Sequence, residues 1–339
     1  MISDFPLHVS ILATPQTVAS PLVSIYDVLN MIGDLRPFDS AIPAEPPYRV
    51  EIVAETDGPV MTASNIPINA HRSIQAINRT DMVIIPSIMT DASTWPRGGF
   101  PQISAWLRSM HDSGAMICAA CSGVFLLAES GLLEGKEATT HWSYAKAFET
   151  AFPEIKLSLE KILVTAGGRS ELVMSGASMS WHDLVLYLVA RQLGYSVANT
   201  VAKFFAMQWH SDGQAPFIIF TPPLNHGDGL VLKAQHWLQA NCSTANPIEE
   251  MVSISDTPER TFKRRFTKAT GLSPIQYVQH LRIDQAKRWL ERDTLPIDEI
   301  SWKVGYEDPA FFRRLFKRQT GMTPGAYRKT FTLPQFENF

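Results

Sequence analysis

The chain has 339 residues, enough for two domains at roughly 150 residues each. Apolar residues make up 45% of it and charged residues 19%, which excludes a disordered chain, and no apolar run reaches the roughly 20 residues of a bilayer-spanning helix. Net charge is −3 but unevenly divided: residues 229–339 hold 17 Lys and Arg against 12 Asp and Glu, a net of +5, which leaves −8 on residues 1–228. A basic tail on an acidic body fits a polyanion met by the tail alone; a chance excess fits as well. Three cysteines (Cys118, Cys121, Cys242) make neither a disulfide framework nor a four-thiolate zinc site, and no His/Cys/acid cluster has ligand spacing, so neither metal nor cofactor is expected. The opening MISDFPLHVS lacks the basic-then-apolar pattern of a leader, which makes the cytoplasm the expected compartment.

In chain order, short apolar runs at 8–13, 50–54, 82–85, 115–119 and 162–165 read as buried strands. Between and after them, helical patterns cover about 22–32, 102–113, 122–130, 144–151 and 181–193. Such alternation predicts an α/β domain with a mostly parallel sheet and helices on both faces. Residues 211–229 carry three prolines and three glycines and read as a linker. Everything beyond looks helical.

Within the first part, Ile117-Cys-Ala-Ala-Cys121-Ser-Gly123 ends a strand and opens a helix. Cys121 is expected exposed on that turn, at the carboxyl edge of the sheet, where helix N-terminal N–H groups lower a thiol's pKa and bind an oxyanion. His141 is the nearest candidate partner. A buried structural cysteine beside an unrelated histidine is the alternative. Cys118 reads as a small hydrophobe, and Cys242 shows no partner.

The last part contains a duplication. Phe262, Phe266, Thr270, Gly271, Pro274 and Tyr277 recur fifty residues later as Phe312, Phe316, Thr320, Gly321, Pro324 and Tyr327. Five cap–proline pairs start short helices: Asn246-Pro247, Thr257-Pro258, Ser273-Pro274, Asp308-Pro309 and Thr323-Pro324. In each copy a short amphipathic helix (Ile248, Met251 and Val252; Ile297, Ile300 and Val304) precedes a second one anchored by the paired phenylalanines. That second helix turns Arg260, Lys263 and Arg264, or Ala310, Arg313 and Arg314, outward, with Lys268, Lys317 and Arg318 trailing. Arg265 takes the place of Leu315 and is expected on the partly buried side, away from bases. Helix, turn and cationic second helix spell a helix-turn-helix for the DNA major groove: arginines suited to guanine, trailing lysines to phosphate. A small helical bundle with a solvated basic face is the bland alternative, and the second copy, joined by one long helix over about 273–292, weighs against it.

Residues 229–330 resemble the AraC/XylS-type DNA-binding domain. Val304-Gly-Tyr-Glu-Asp-Pro-Ala-Phe-Phe-Arg-Arg-Leu-Phe-Lys-Arg-Gln-Thr-Gly-Met-Thr-Pro-Gly-Ala-Tyr-Arg328 matches its second unit, and Pro274-Ile-Gln-Tyr-Val-Gln-His-Leu-Arg282 its connecting helix. Residues 5–210 resemble the ThiJ/PfpI-like domain of the class I glutamine amidotransferase-like fold, a flavodoxin-like α/β architecture. The resemblance runs through Asp81–Pro86, Ala120–Leu133, Thr140–Trp142 and Trp181–Leu188. Cys121 falls on its nucleophile position and His141 on its histidine. The catalytic relatives' Glu after the first strand is missing: Ser20–Asp27 offers only Asp27. The pairing is similar to the GlxA-type regulators. It implies a sensor domain (5–210) with a ligand pocket walled by Cys121, Ser122, His141, Trp142, Trp181, His182 and Asp183, a linker (211–228) and a double helix-turn-helix domain (229–330). It also implies a homodimer, double-stranded DNA and a small-molecule effector, such as an amine or amino-acid-derived metabolite, as partners, with RNA polymerase a further candidate. The rival reading is a cysteine-dependent hydrolase or amidase with a DNA anchor.

Overall fold

A computed structural model describes residues 6–332, so the expected domain start at residue 5 lies just outside the described residues. The chain divides into two compact units between Gln214 and Ala215. Among the described residues no helix is long and apolar enough to cross a membrane, and no group of His, Cys, Asp and Glu is placed to hold a metal ion.

The first unit contains the strands β1 (Leu7–Leu12), β2 (Tyr48–Ala54), β3 (Gly58–Met61), β4 (Pro67–Ala70), β5 (Arg72–Ser73), β6 (Met82–Ile85), β7 (Met116–Ala120), β8 (Glu137–Ala138), β9 (Lys156–Leu157), β10 (Leu163–Ala166) and β11 (Leu172–Ser175). Its helices are α1 (Ala19–Met31), α2 (Pro101–Asp112), α3 (Val124–Glu129), α4 (Ala145–Ala151), α5 (Trp181–Leu193) and α6 (Tyr195–Phe204). Seven strands form one sheet in the order β10-β11-β7-β6-β1-β2-β5, parallel throughout except for β10 against β11. The strands read as apolar runs because both faces are covered. The two-residue period then sorts them: Val9, Ile11, Ile84 and Cys118 face α1, α5 and α6, while Leu12, Val83, Ile85 and Ile117 face α2, α3 and α4. Sequence reading misses β11 and the β3–β4 hairpin: the former is four residues between turns, and the latter is largely exposed and lacks a clear apolar alternation.

The second unit is all-helical: α7 (Gly229–Asn241), α8 (Pro247–Ser255), α9 (Glu259–Thr270), α10 (Pro274–Arg292), α11 (Ile297–Lys303), α12 (Pro309–Thr320) and α13 (Pro324–Phe331). Three of the expected caps form: Ser273, reciprocated by Gln276, Asp308 and Thr323. Asn246 and Thr257 do not cap. The backbone of Asn246 sits outside the extended conformation a cap needs, and the Thr257 hydroxyl lies 2.9 Å from that of Ser255 while Pro258 takes the cap position. The repeated Thr-Gly pair closes each second helix. Thr270 and Thr320 Oγ1 donate to Phe266 O and Phe316 O, and Gly271 and Gly321, both at φ +76°, supply the left-handed stop.

Helix α10 serves two cores. Its first half, with Tyr277 and Val278, packs on Leu238, Met251, Phe262 and Phe266, while its second half, with Ile283, Ala286 and Leu290, packs on Ile300, Phe312, Phe316 and Tyr327. Between them the buried Arg282 donates to Cys242 O (2.7 Å), Thr244 O (2.7 Å) and Gly305 O (2.8 Å) and lies over the Tyr306 ring. Much of the stretch read as a linker over 211–228 is folded. Residues up to Gln214 belong to the first unit, whereas Phe220 stacks on His280 and Pro223 O accepts from Gln235 in the second.

Candidate functional site

Strand β7 ends in a sharp turn whose first residue, Cys121, has φ +55°, a conformation that L side chains adopt at a cost of order 1–3 kcal/mol. Gly123 permits the turn to press on β6: a Cβ there would lie 2.4 Å from Pro86 O and 2.6 Å from Ile85 O. Contrary to expectation, Cys121 is buried at 3% exposure. Burial pushes its thiol up from the ordinary value, more than the facing hydroxyls of Ser87, Ser122 and Ser178 and the Ser122 N–H pull it down. Desolvation therefore outweighs the hydrogen bonds at the turn. Cys118 is fully buried in the sheet, also with a raised pKa, as its hydrophobe role requires.

The expected pocket residues are put to different uses. Ser122 is consumed locally: its hydroxyl donates to Ile88 O (2.6 Å) and accepts from Ile88 N (3.0 Å), fixing the loop after β6. His141 Nδ1 accepts from Ser143 N (3.2 Å) and lies 2.8 Å from Ser143 Oγ, which puts the proton of the neutral ring on Nε2. Burial holds the His141 pKa below its usual value, and its ring stacks on Trp142. Trp181 belongs to the core on the α5 side, with the half-buried His182 edge-on to it. Asp183 is fully buried and committed elsewhere. Its Oδ1 accepts from His210 N (2.9 Å), and its Oδ2 lies 2.7 Å from His210 Nδ1, raising the pKa of that imidazole. Asp27 is exposed on α1.

Two residues that sequence reading passes over stand at this edge. Tyr144 is close enough for the Cys121 charge to bear on its hydroxyl, and burial together with that charge raises its pKa. Gln214, read as linker, is fully buried. Its Nε2 donates to Thr139 Oγ1 (3.0 Å) and Thr140 O (3.0 Å), and Thr140 Oγ1 in turn donates to Cys121 O (2.9 Å). Gly176 leaves the room, since a Cβ on it would sit 2.3 Å from Gln214 Nε2. Gln214 Oε1 and Ser175 Oγ are buried with no hydrogen-bond partner among the described residues. The signal for Gln214 is topological and could not be read from its Gly/Pro-rich surroundings.

In the second unit the repeat places its cations as a surface. Arg260, Lys263, Arg264 and Lys268 on α9, and Ala310, Arg313, Arg314, Lys317 and Arg318 on α12, are all exposed. Lys263 pairs with Glu259 one turn away, and Arg313 Nη2 with Asp298 Oδ1 on α11 (2.5 Å). Both are solvent-exposed pairs of the kind worth about 0–1 kcal/mol, and a phosphate displaces them cheaply. Arg265 is half-buried and bonded twice to Asp228, through Nε (2.9 Å) and Nη2 (2.7 Å), while Asp228 also caps α7. It ties the start of the unit to α9.

The helix-turn-helix domain family matches residues 252–330 and the DJ-1/PfpI family matches residues 22–175. The chain is 23% identical over 305 residues to the HTH-type transcriptional regulator CdhR of Pseudomonas aeruginosa, covering 84% of this chain and 83% of that one. It is 22% identical over 321 residues to the HTH-type transcriptional regulator GlxA of Rhizobium meliloti, covering 93% and 96%. A solved AraC family transcriptional regulator from Pseudomonas putida, 15% identical, aligns with a TM-score of 0.49 over 59% of this chain and 100% of that one. The chain thus joins a domain matched by the DJ-1/PfpI family, over residues 22–175, to one matched by the helix-turn-helix domain family, over residues 252–330.

Proposed function

We propose that this protein is a sequence-specific DNA-binding transcriptional regulator whose N-terminal domain binds a small-molecule effector at the carboxyl edge of its sheet. The observation that carries the reading is the pair of exposed cationic helices, α9 and α12, set in equivalent frames on the single helix α10. Each presents a basic face of the kind that enters a major groove. Selection from random duplex DNA tests it: a recovered sequence should bind at least about 10³-fold tighter than random DNA at fixed salt. Recovery of no preferred sequence refutes it.

At the sheet edge, the buried Ser175 Oγ and Gln214 Oε1 support a polar effector, because unpaired buried polar atoms cost about 1–3 kcal/mol each. An amine or amino-acid-derived metabolite fits, as its N–H groups supply the donors that Oε1 lacks. The wall residues expected there are Cys121, Ser122, His141, Trp142, Trp181, His182 and Asp183, and Tyr144 joins them. A homodimer is supported by the exposed aromatics of the α5–α6 side, Tyr195, Phe204 and Trp209. The protein acts in the cytoplasm, where effector occupancy shifts DNA affinity and contact with RNA polymerase.

The positive φ of Cys121 favours one rival, a cysteine hydrolase, because that strain is typical of a nucleophile turn. Against it stand the raised thiol pKa, the occupied Nδ1 of His141 and the exposed Asp27. Incubation with amide and 2-oxoaldehyde substrates separates the two: turnover lost in Cys121→Ala supports the enzyme, and its absence in the wild type supports the sensor.

A further inference from the structure

Within the second unit, the buried phenylalanines of α9 and α12 fix which side chains point furthest from the core. Phe262 and Phe266, or Phe312 and Phe316, mark the inward side of each helix. At about 100° per residue, the row directly opposite them is 260–264–268 on α9 and 310–314–318 on α12. Those rows read Arg260, Arg264 and Lys268 on one helix and Ala310, Arg314 and Arg318 on the other, and all six residues are exposed. Positions 263 and 313 lie well to one side of the row, and there Lys263 pairs with Glu259 and Arg313 with Asp298. Among the described residues Arg260, Arg264 and Arg314 have neither a hydrogen-bond nor an ion-pair partner, so their guanidinium groups are free for a ligand.

The two rows carry the same charge at their second and third places and differ in kind only at the first. There α9 presents a guanidinium and α12 a methyl group. Beside Ala310, the Phe311 ring is 38% exposed and tilted against Tyr306 at 5.8 Å, whereas its counterpart on α9, Thr261, is half-buried. The leading end of α12 is therefore an apolar patch on an otherwise basic face. In a recognition helix the N-terminal residues meet the base edges. Residues four apart are about 6 Å apart along the helix axis, or about two base-pair steps. Arginine bonds guanine bidentately, while alanine and phenylalanine suit the C5-methyl of thymine.

We propose that position 310 makes the two halves of the DNA site chemically different. Helix α9 reads two guanines, through Arg260 and Arg264. Helix α12 reads one guanine, through Arg314, and one thymine, through the methyl of Ala310 with Phe311 flanking it. The assignment rests on the regulator reading above.

The test selects duplexes from random DNA with the full chain as wild type, Ala310→Arg and Arg260→Ala. Both substitutions exchange good helix formers at exposed positions, so thermal melts followed by circular dichroism should be unchanged. The wild-type sequence should hold two segments, one with two guanines and one with a guanine and a thymine. Ala310→Arg should replace that thymine by guanine and leave the other segment as it was. Arg260→Ala should remove one guanine preference, worth at least about fivefold in Kd, from the other segment alone. In the wild-type duplex, exchanging the thymine for deoxyuridine deletes only its methyl and should raise Kd about fourfold, as burial of one carbon group does. With Ala310→Arg the same exchange should leave Kd unchanged. A deoxyuridine exchange without effect on the wild type, or substitutions that alter both segments or neither, overturn the assignment. A wild type that selects no duplex refutes the regulator reading itself, whereas a selected duplex indifferent to these changes refutes the assignment alone.

Discussion

The bond network of Arg282 gives a stability prediction that the geometry sizes directly. The guanidinium donates to three backbone carbonyls from separate segments: Cys242 and Thr244 after α7, and Gly305 between α11 and α12. Arg282→Met keeps the apolar stem and removes all three donors. Hydrogen bonds from a charged donor are worth about 1.5–3 kcal/mol each, and relief from burying the charge offsets part of the sum. The expected net loss is about 3–5 kcal/mol. At ~2.1 cal/mol/K per residue of unfolding entropy, a unit of this size should melt about 10–20 °C lower. Differential scanning calorimetry of the full chain reads this as a shift of one transition, with the first unit's unchanged. Arg288→Met, on the same helix but in an exposed pair with Asp284, should move it less than about 2 °C. A shift for Arg282→Met below about 4 °C would mean that water or neighbouring groups replace the three bonds, and that the two helix-turn-helix units are not tied through this residue.

Three further outcomes are expected. Arg314→Ala should weaken binding to the selected duplex by about 1–3 kcal/mol while barely affecting random DNA, whereas Lys317→Ala should weaken both and lower the salt slope by about one; equal losses for Arg314→Ala place it on phosphate. Gly123→Ala should cost the first unit about 3 kcal/mol, because its Cβ meets two backbone oxygens, whereas Gly168→Ala, with open space around it, should not; calorimetry of the two variants compares them. The buried Asp183 carboxylate raises the pKa of His210 above 6.5, so that pair's contribution is complete below pH 6.5 and fades as pH rises through the raised value. The stability gap between wild type and His210→Gln should therefore be widest below pH 6.5 and narrow above it, and a gap independent of pH in urea titrations contradicts the assignment.

Most of the fold is legible before any coordinates because its signals are local. Apolar runs such as Met82–Ile85 leave a parallel strand little alternative, and the paired phenylalanines of α9 and α12 fix which face of each helix is buried. Outward cations then follow by subtraction, which is why the basic positions expected outward on α9 and α12 lie at the surface while Arg265 is half-buried. Where two local signals compete, the sequence misleads. Helix N-terminal N–H groups argue for an acidic Cys121 thiol, and only packing reveals that burial wins.

The sequence by itself determined the two-part plan, the duplicated helix-turn-helix unit and the cysteine turn after the fourth expected strand, because each is encoded by residues close together in the chain. Only the tertiary structure decided which polar groups are spent on one another: Ser122 on Ile88, Asp183 on His210, Arg265 on Asp228, and Gln214 on the Thr139–Thr140 turn. Those partners are separated by 27 to 75 residues, and hydrogen bonds between such distant positions leave no periodicity to read.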